Sequence, residues 1–297
     1  MCGTCGCGSD GNGAKILSPK MGKEEHGHHH DHGHSHHHDH DNDHHHGHHH
    51  HHLEHDHDHH HGHHHHNHDH DHDHHHKTVL EVERDILQQN EIMAARNRGY
   101  FDAKGIFALN LVSSPGSGKT SLLERTLKDL KGKIPFYVIE GDQQTLNDAN
   151  RIAALDVPVI QINTGKGCHL ESDMIHDAVK KLNIANDSVL MIENVGNLVC
   201  PSMFNLGEHK RVVIVSTTEG DDKPIKYPDM FHTSDICIIN KIDLAPYLDT
   251  NIEVLKKNAL QVNPELVFFE VSATKGTGME KWYEWLENQA KLVPEEH

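Results

Sequence analysis

The sequence predicts an α/β domain of three layers, with a mostly parallel sheet of about seven strands between helices. Three observations carry that expectation. From Ile106 onward short apolar runs alternate with helical patterns. The runs are apolar on both faces, as strands covered from both sides must be. A glycine-rich turn joins the first run to the first helical pattern, at the carboxyl edge where such sheets gather ligands. The strands are expected at Ile106–Val112, Ile134–Glu140, Val157–Ile162, Val189–Glu193, Val212–Ser216, Ile236–Asn240 and Leu266–Val271. Helices are expected at Ser121–Leu130, Thr145–Ala154, Leu170–Leu182, Thr250–Val262 and Met279–Leu292. Ahead of them, residues 78–98 place Val79, Val82, Ile86, Leu87 and Met93 at three- and four-residue spacing, which predicts an amphipathic helix packed on the domain.

The rest of the chain has a different composition. Of the 51 residues from 26 to 76, 33 are His and ten are Asp or Glu, and Leu53 is the one large apolar residue. Such a segment has nothing to bury and is expected to stay disordered. The organisation read from this is a flexible Cys/Gly-rich start at 1–25, a disordered His/Asp-rich tract at 26–76, and a folded domain at 77–297. Net charge is −18 with His neutral, and without the tract's acids the remainder still holds 27 basic against 35 acidic residues. That surface repels nucleic acid and anionic lipid. The start MCGTCGCGSD lacks the basic flank and apolar run of a secretory signal, and no stretch approaches the ~20 apolar residues of a membrane span. A cytoplasmic location is expected, where the six cysteines are thiols or metal ligands rather than disulfides.

Residues 113–120, SSPGSGKT, form a phosphate-binding P-loop. Gly116 and Gly118 let backbone N–H groups turn inward, Lys119 places a cation on the β and γ phosphates, and the Thr120 hydroxyl can ligate Mg2+. Ser117 and Ser121 complete the nucleotide-binding stretch. Ser113 stands where the usual pattern has Gly. Asn240-Lys241-Ile242-Asp243 follows an apolar strand, and a carboxylate at Asp243 can accept from the ring N–H and amine of guanine. Leaving such donors unpaired costs about 1–3 kcal/mol each, so this residue selects the base. Ser272 and Ala273 follow the last strand, where a backbone N–H can meet the guanine carbonyl. Between the motifs, Glu193 ends a strand and is placed for Mg2+, and the Gly196 N–H can sense the γ-phosphate. Asp142 and Asp148 are further candidates for Mg2+ or for orienting water. The catalytic set expected is Lys119, Thr120, Asp142 and Glu193.

Three segments offer softer ligands. Cys2, Cys5 and Cys7 can converge on one ion, and a thiolate set of this kind suits Ni2+, Zn2+ or Cu+. The His/Asp tract can hold many divalent ions weakly, through imidazole. Cys168 and His169 head a helix, and Cys200 lies seven residues after Glu193, on the loop that must respond to the γ-phosphate. A metal held there would feel the nucleotide state, and three protein ligands leave a position open for transfer or sharing.

Taken together, MCGTCGCG, the His-rich tract, SSPGSGKT, EGDQQTLNDANRI, GKGCHL, ENVGNLVCP, TTEGDDKPIKYP and NKID closely resemble the hydrogenase nickel-incorporation GTPase family, HypB. The resemblance implies a GTPase that dimerises around nucleotide, with a tight nickel site at Cys2, Cys5 and Cys7. It implies a second nickel or zinc site from Cys168, His169 and Cys200 at the subunit interface. It also implies delivery of Ni2+ to the large subunit of [NiFe]-hydrogenase with a HypA-type partner, and contact of Lys226 with nucleotide. Intrinsic turnover is expected to be slow, since no arginine finger or glutamine base is evident. The urease accessory type, UreG, is the near rival, but its Cys-Pro-His is absent: Cys200-Pro201 is followed by Ser202.

Overall fold

The computed structural model describes residues 14–18, 78–143 and 147–292. In chain order the elements are β1 (Lys15–Leu17), α1 (Val79–Ala103), β2 (Ile106–Ser113), α2 (Lys119–Asp129), β3 (Phe136–Asp142), α3 (Asn147–Ala153), β4 (Val159–Asn163), α4 (Ser172–Leu182) and β5 (Ser188–Glu193). They continue through β6 (Lys210–Ser216), α5 (Lys223–Lys226), α6 (Pro228–His232), β7 (Ile236–Asn240), α7 (Ile252–Val262), β8 (Val267–Glu270) and α8 (Met279–Leu292). Cys2, Cys5, Cys7 and the His/Asp tract lie outside the described residues.

The eight strands form one sheet in the order β1-β4-β3-β5-β2-β6-β7-β8. All neighbours are parallel except β1, which pairs antiparallel with β4, Lys15 opposite Asn163. The seven expected strands are all present, and their alternation explains the layers. On β2 and β5, Phe107, Leu109, Leu111, Val189 and Met191 face a core shared with Leu122, Leu127, Ile152, Trp282 and Leu286 of α2, α3 and α8. The intervening Ile106, Ala108, Leu190 and Ile192 face Phe101, Ile175 and Val179 of α1 and α4. Both faces of the central strands are therefore dry, which is why their sequences read as unbroken apolar runs.

The short helices α5 and α6 were not among those expected, and two further elements differ from expectation. β1 falls inside a start read as structureless, because three residues are too few to show a period. The α1 helix forms, with Thr78 and Glu81 closing a capping box at its start, but its expected apolar stripe is not what packs. Val79, Val82 and Ile86 are 69, 43 and 44 % exposed. The buried positions are Asn90, Ala94, Asn97 and Phe101, one helical face lying further along the chain. Docking there is polar: Asn97 Nδ2 donates to the carbonyls of Ser172 (2.8 Å) and Leu206 (3.1 Å), and Asn90 Nδ2 to that of Asn205 (2.7 Å). Amphipathic spacing reported a helix but not which of its turns reach the core.

Candidate nucleotide and metal site

The P-loop turns because two of its glycines hold left-handed backbone, Gly116 at φ +79° and Gly118 at φ +91°. Gly118 is constrained twice, since a methyl there would stand 2.5 Å from Asn240 Nδ2. That close approach draws the base-selecting motif onto the phosphate loop. Asn240 Nδ2 donates to the Ser117 carbonyl (3.0 Å), Lys241 Nζ to the Gly116 carbonyl (2.6 Å), and the Ala273 N–H to Asn240 Oδ1 (3.1 Å). Three segments far apart in sequence meet at one buried amide. Asp243 Oδ1 is a buried oxygen without a hydrogen-bond partner, as expected of an acceptor reserved for a ligand's N–H. Ser272 is fully buried, beside Ala273. Lys226, by contrast, is exposed, is ion-paired with Asp222 at 2.6 Å, and is not part of the phosphate cleft lining.

At the other end of the cleft, oxygens crowd around the first turn of α2. Lys119 Nζ lies 2.9 Å from Glu193 Oε1. The Thr120 hydroxyl donates to that same oxygen at 2.7 Å and reaches Asp148 Oδ2 at 3.2 Å. Asp142 and Gly196 line the same cleft, with Ser121 and Glu140. The second oxygens of Glu193 and Glu140 are buried without partners. A hydroxyl and several carboxylates with spare lone pairs make a hard donor set, which fits Mg2+. Arg151, which the sequence did not single out, also lines the cleft, pairing with Asp148 (3.0 Å) and Glu124 (2.5 Å).

Glu140 has a measurable signature. Burial first, then the charges of Glu193 and Asp142, push its carboxyl up to about 8 from an ordinary 4.5. Between those values the folded protein keeps a proton that the unfolded chain releases, so this contribution to stability is present below about pH 4.5 and is lost as pH rises through 8. Without nucleotide or divalent ions, Glu140→Gln is thus expected to gain stability over wild type as pH rises from 5 to 9. Thermal unfolding across that range checks it, and a constant difference would refute the assignment.

The softer ligands also converge. One ligand atom each from Cys168, His169 and Cys200 lies within 4.8 Å of the others. The His169 ring stacks on Phe204 with centroids 3.9 Å apart, which fixes its plane. Its Nδ1 is 3.7 Å from Cys168 Sγ, and its Nε2, 3.3 Å from Glu171 Oε1, makes no aligned hydrogen bond. Cys200 opens a short 3-10 turn, Cys200–Met203, with Pro201 in its first turn. Asn197 orders the approach, donating to the Cys168 carbonyl (3.5 Å) and accepting from the Val199 N–H (2.8 Å). Cys237, fully buried in β7 with its thiol pushed upward by burial, belongs to the core.

Residues 107–270 match the family described as CobW/HypB/UreG, nucleotide-binding domain. A hydrogenase maturation factor HypB from Rhizobium leguminosarum bv. viciae is 58 % identical over 212 residues, 71 % of each chain. The chain belongs to the HypB family. The HypB of Escherichia coli K12 is 54 % identical over 213 residues, covering 72 % of this chain and 73 % of its own. Among solved structures, HypB from Archaeoglobus fulgidus superposes with a TM-score of 0.65 at 37 % identity, over 68 % of this chain and 99 % of that one. HypB from Helicobacter pylori, crystallised in complex with nickel, gives 0.64 at 39 % identity, over 70 and 99 %.

Within this HypB-family domain, the sequence reading named residues that the structure brings together in one cleft and one Cys/His cluster, and missed several that position them. Arg151 lies one helical turn beyond Asp148, a spacing that could have flagged it. Phe204 gave no local signal. Glu219, which accepts from the P-loop Ser114 hydroxyl and from the Ser216 N–H (2.8 Å), did carry one, the S-x-x-E capping-box spacing from Ser216. Among the described residues no helix is long and apolar enough to cross a membrane.

Proposed function

We infer that the chain is a nickel-carrying GTPase that supplies Ni2+ to the large subunit of a [NiFe]-hydrogenase in the cytoplasm. It acts as a homodimer and with a HypA-type accessory protein. The observation that carries this reading is the convergence of Cys168, His169 and Cys200 to within 4.8 Å, on loops that include the one leaving Glu193. Two thiolates and one imidazole are soft to borderline donors suited to Ni2+ or Zn2+, and three protein ligands leave a position open for handover. The naming of relatives as hydrogenase maturation factors, one of them crystallised with nickel, supports nickel as the cargo.

The cleft supports GTP as the switch. Gly116 to Ser121 wrap the phosphates, Lys119 offsets charge on the β and γ groups, and Asp243 selects guanine over adenine. Thr120, Glu193, Asp142 and Asp148 would hold Mg2+, which when bound supplies charge neutralisation for phosphoryl transfer. Asp142 or Asp148 orients the attacking water. Hydrolysis leaves the Gly196 turn without its phosphate contact, the loop from 193 to 200 relaxes, and the ion or the partner is released.

A nickel titration of the full chain tests this, with GDP and with a non-hydrolysable GTP analogue, alongside a Cys2/Cys5/Cys7→Ala variant and a deletion of residues 26–76. The thiolate variant is expected to lose the tightest binding and the deletion to lose capacity. The site at Cys168 is expected to differ several-fold between nucleotides. Equal affinities at that site with both nucleotides would remove the switch.

A further inference from the structure

Leu170 directly follows His169 and is gripped from two sides. Its N–H donates to Asn194 Oδ1 at 3.2 Å. Its fully buried side chain packs on Gly141, so closely that a methyl there would meet it at 2.9 Å. Gly141 precedes Asp142, and Asn194 follows Glu193. The residue beside a metal ligand thus rests on the immediate neighbours of two carboxylates of the phosphate cleft.

Asn194 itself is fully buried and has no exposed edge. Its Oδ1 also accepts from the Val195 N–H at 2.9 Å, and its Nδ2 donates to Asn110 Oδ1 at 3.2 Å. Asn110, on β2 and equally buried, donates onward to Glu208 Oε1 at 3.0 Å. That carboxylate accepts from Arg211, whose guanidinium also donates to the carbonyls of Ser202 (3.1 Å) and Phe204 (2.8 Å). Those two carbonyls belong to the segment that carries Cys200 and the ring stacked on His169. One amide therefore reaches both arms of the metal site: Cys168-His169 through Leu170, and Cys200 through Asn110, Glu208 and Arg211.

Burying two amides between apolar strands costs free energy unless each polar atom is matched, and an apolar residue would pack there without that demand. In this low-dielectric interior a matched network holds its members to one geometry. The geometry points to Asn194 as the positioning residue that transmits nucleotide state to the metal ligands. It rests on the reading that the two sites communicate. The Asn194 side-chain Oδ1 is shared by one N–H from the phosphate-sensing segment and one from the metal-binding segment. A shift of Val195 and Gly196 toward a γ-phosphate changes that sharing, and with it the placement of Leu170 and His169.

The test uses the full chain carrying Cys2/Cys5/Cys7→Ala, so that thiolate-to-nickel absorption reports Cys168 and Cys200 alone. Nickel affinity is measured with GDP and with a non-hydrolysable GTP analogue, in that parent and with Asn194→Ala, Asn110→Ala or Asn263→Ala added. The Asn263 amide donates to three carbonyls outside both sites and serves as the control for general destabilisation. Couplings of this kind usually run from about 5- to 150-fold. The expected result is a parent ratio in that range, collapsing to within about twofold of unity in Asn194→Ala while both states still bind nickel. Asn110→Ala is expected to lie between, and Asn263→Ala to keep the parent ratio despite a lower melting temperature. A parent ratio preserved in Asn194→Ala overturns the inference. Should that variant not fold, an unchanged ratio in Asn110→Ala overturns it instead. A parent ratio of one removes the functional reading, and this inference with it.

Discussion

Lys119→Ala is expected to lower the rate of GTP hydrolysis by a factor of about 10²–10³, the usual cost of deleting one preorganised charge partner at a developing anion. Lys119 is the cation that the structure places against Glu193, with Glu140, Asp142 and Asp148 lining the same cleft. Without it, a polyphosphate would enter a pocket whose nearest charges are mostly negative; among the described residues lining the cleft, the other cation, Arg151, is already shared between Asp148 and Glu124, and Lys241 is engaged by the Gly116 carbonyl. The lost interaction strengthens as charge develops on the transferring group, so the effect belongs mainly to kcat. Phosphate release at saturating GTP measures it. A variant within tenfold of wild type would mean that the chemistry occurs elsewhere, or that the domain stores metal without hydrolysing nucleotide.

The largest effect on stability is expected from Arg211→Leu. Arg211 and Glu208 are both nearly inaccessible to solvent, and the guanidinium fills its donors on Glu208, two carbonyls and the Thr233 hydroxyl. Removing it leaves a buried carboxylate that still accepts from the Asn110 amide and the Leu206 N–H but has lost its counter-charge. Breaking one side of such a pair costs about 3–5 kcal/mol. For a folded part of this size that lowers the melting temperature by on the order of 10 °C. Replacing both residues removes the stranded charge, so Glu208→Leu with Arg211→Leu is expected to recover part of the loss. A double variant no more stable than the single would show that the carbonyl contacts, rather than the ion pair, dominate.

The sheet was legible because its code is local. Ile236–Asn240 is bounded in the structure as the sequence places it, since a run this short, β-branched and apolar on both faces suits a covered strand. The motifs were legible for a similar reason: phosphate binding needs Gly116, Gly118, Lys119 and Thr120 in one short stretch. What escaped was set by partners distant in sequence. Asn110 looks like an interruption in an apolar run and Asn194 like the first residue of a loop, and nothing nearby says that their amides meet where β2 passes the end of β5. On α1 the stripe of Val79, Val82 and Ile86 shows the helical period, but whether those turns reach the core depends on where Ser172, Asn205 and Leu206 fall. Lys226 was carried over by resemblance, and its partner here, Asp222, is a neighbour one helical turn away.

The short strand β1 has a consequence for the rim of the sheet. Its register sets Lys15 beside Asn163 and Leu17 beside Gln161, so three residues cover most of the outer side of β4. Left bare, that side would present a row of backbone N–H and C=O groups ready to pair with a strand of another chain. Three residues mask the row and leave an edge too short to recruit a partner.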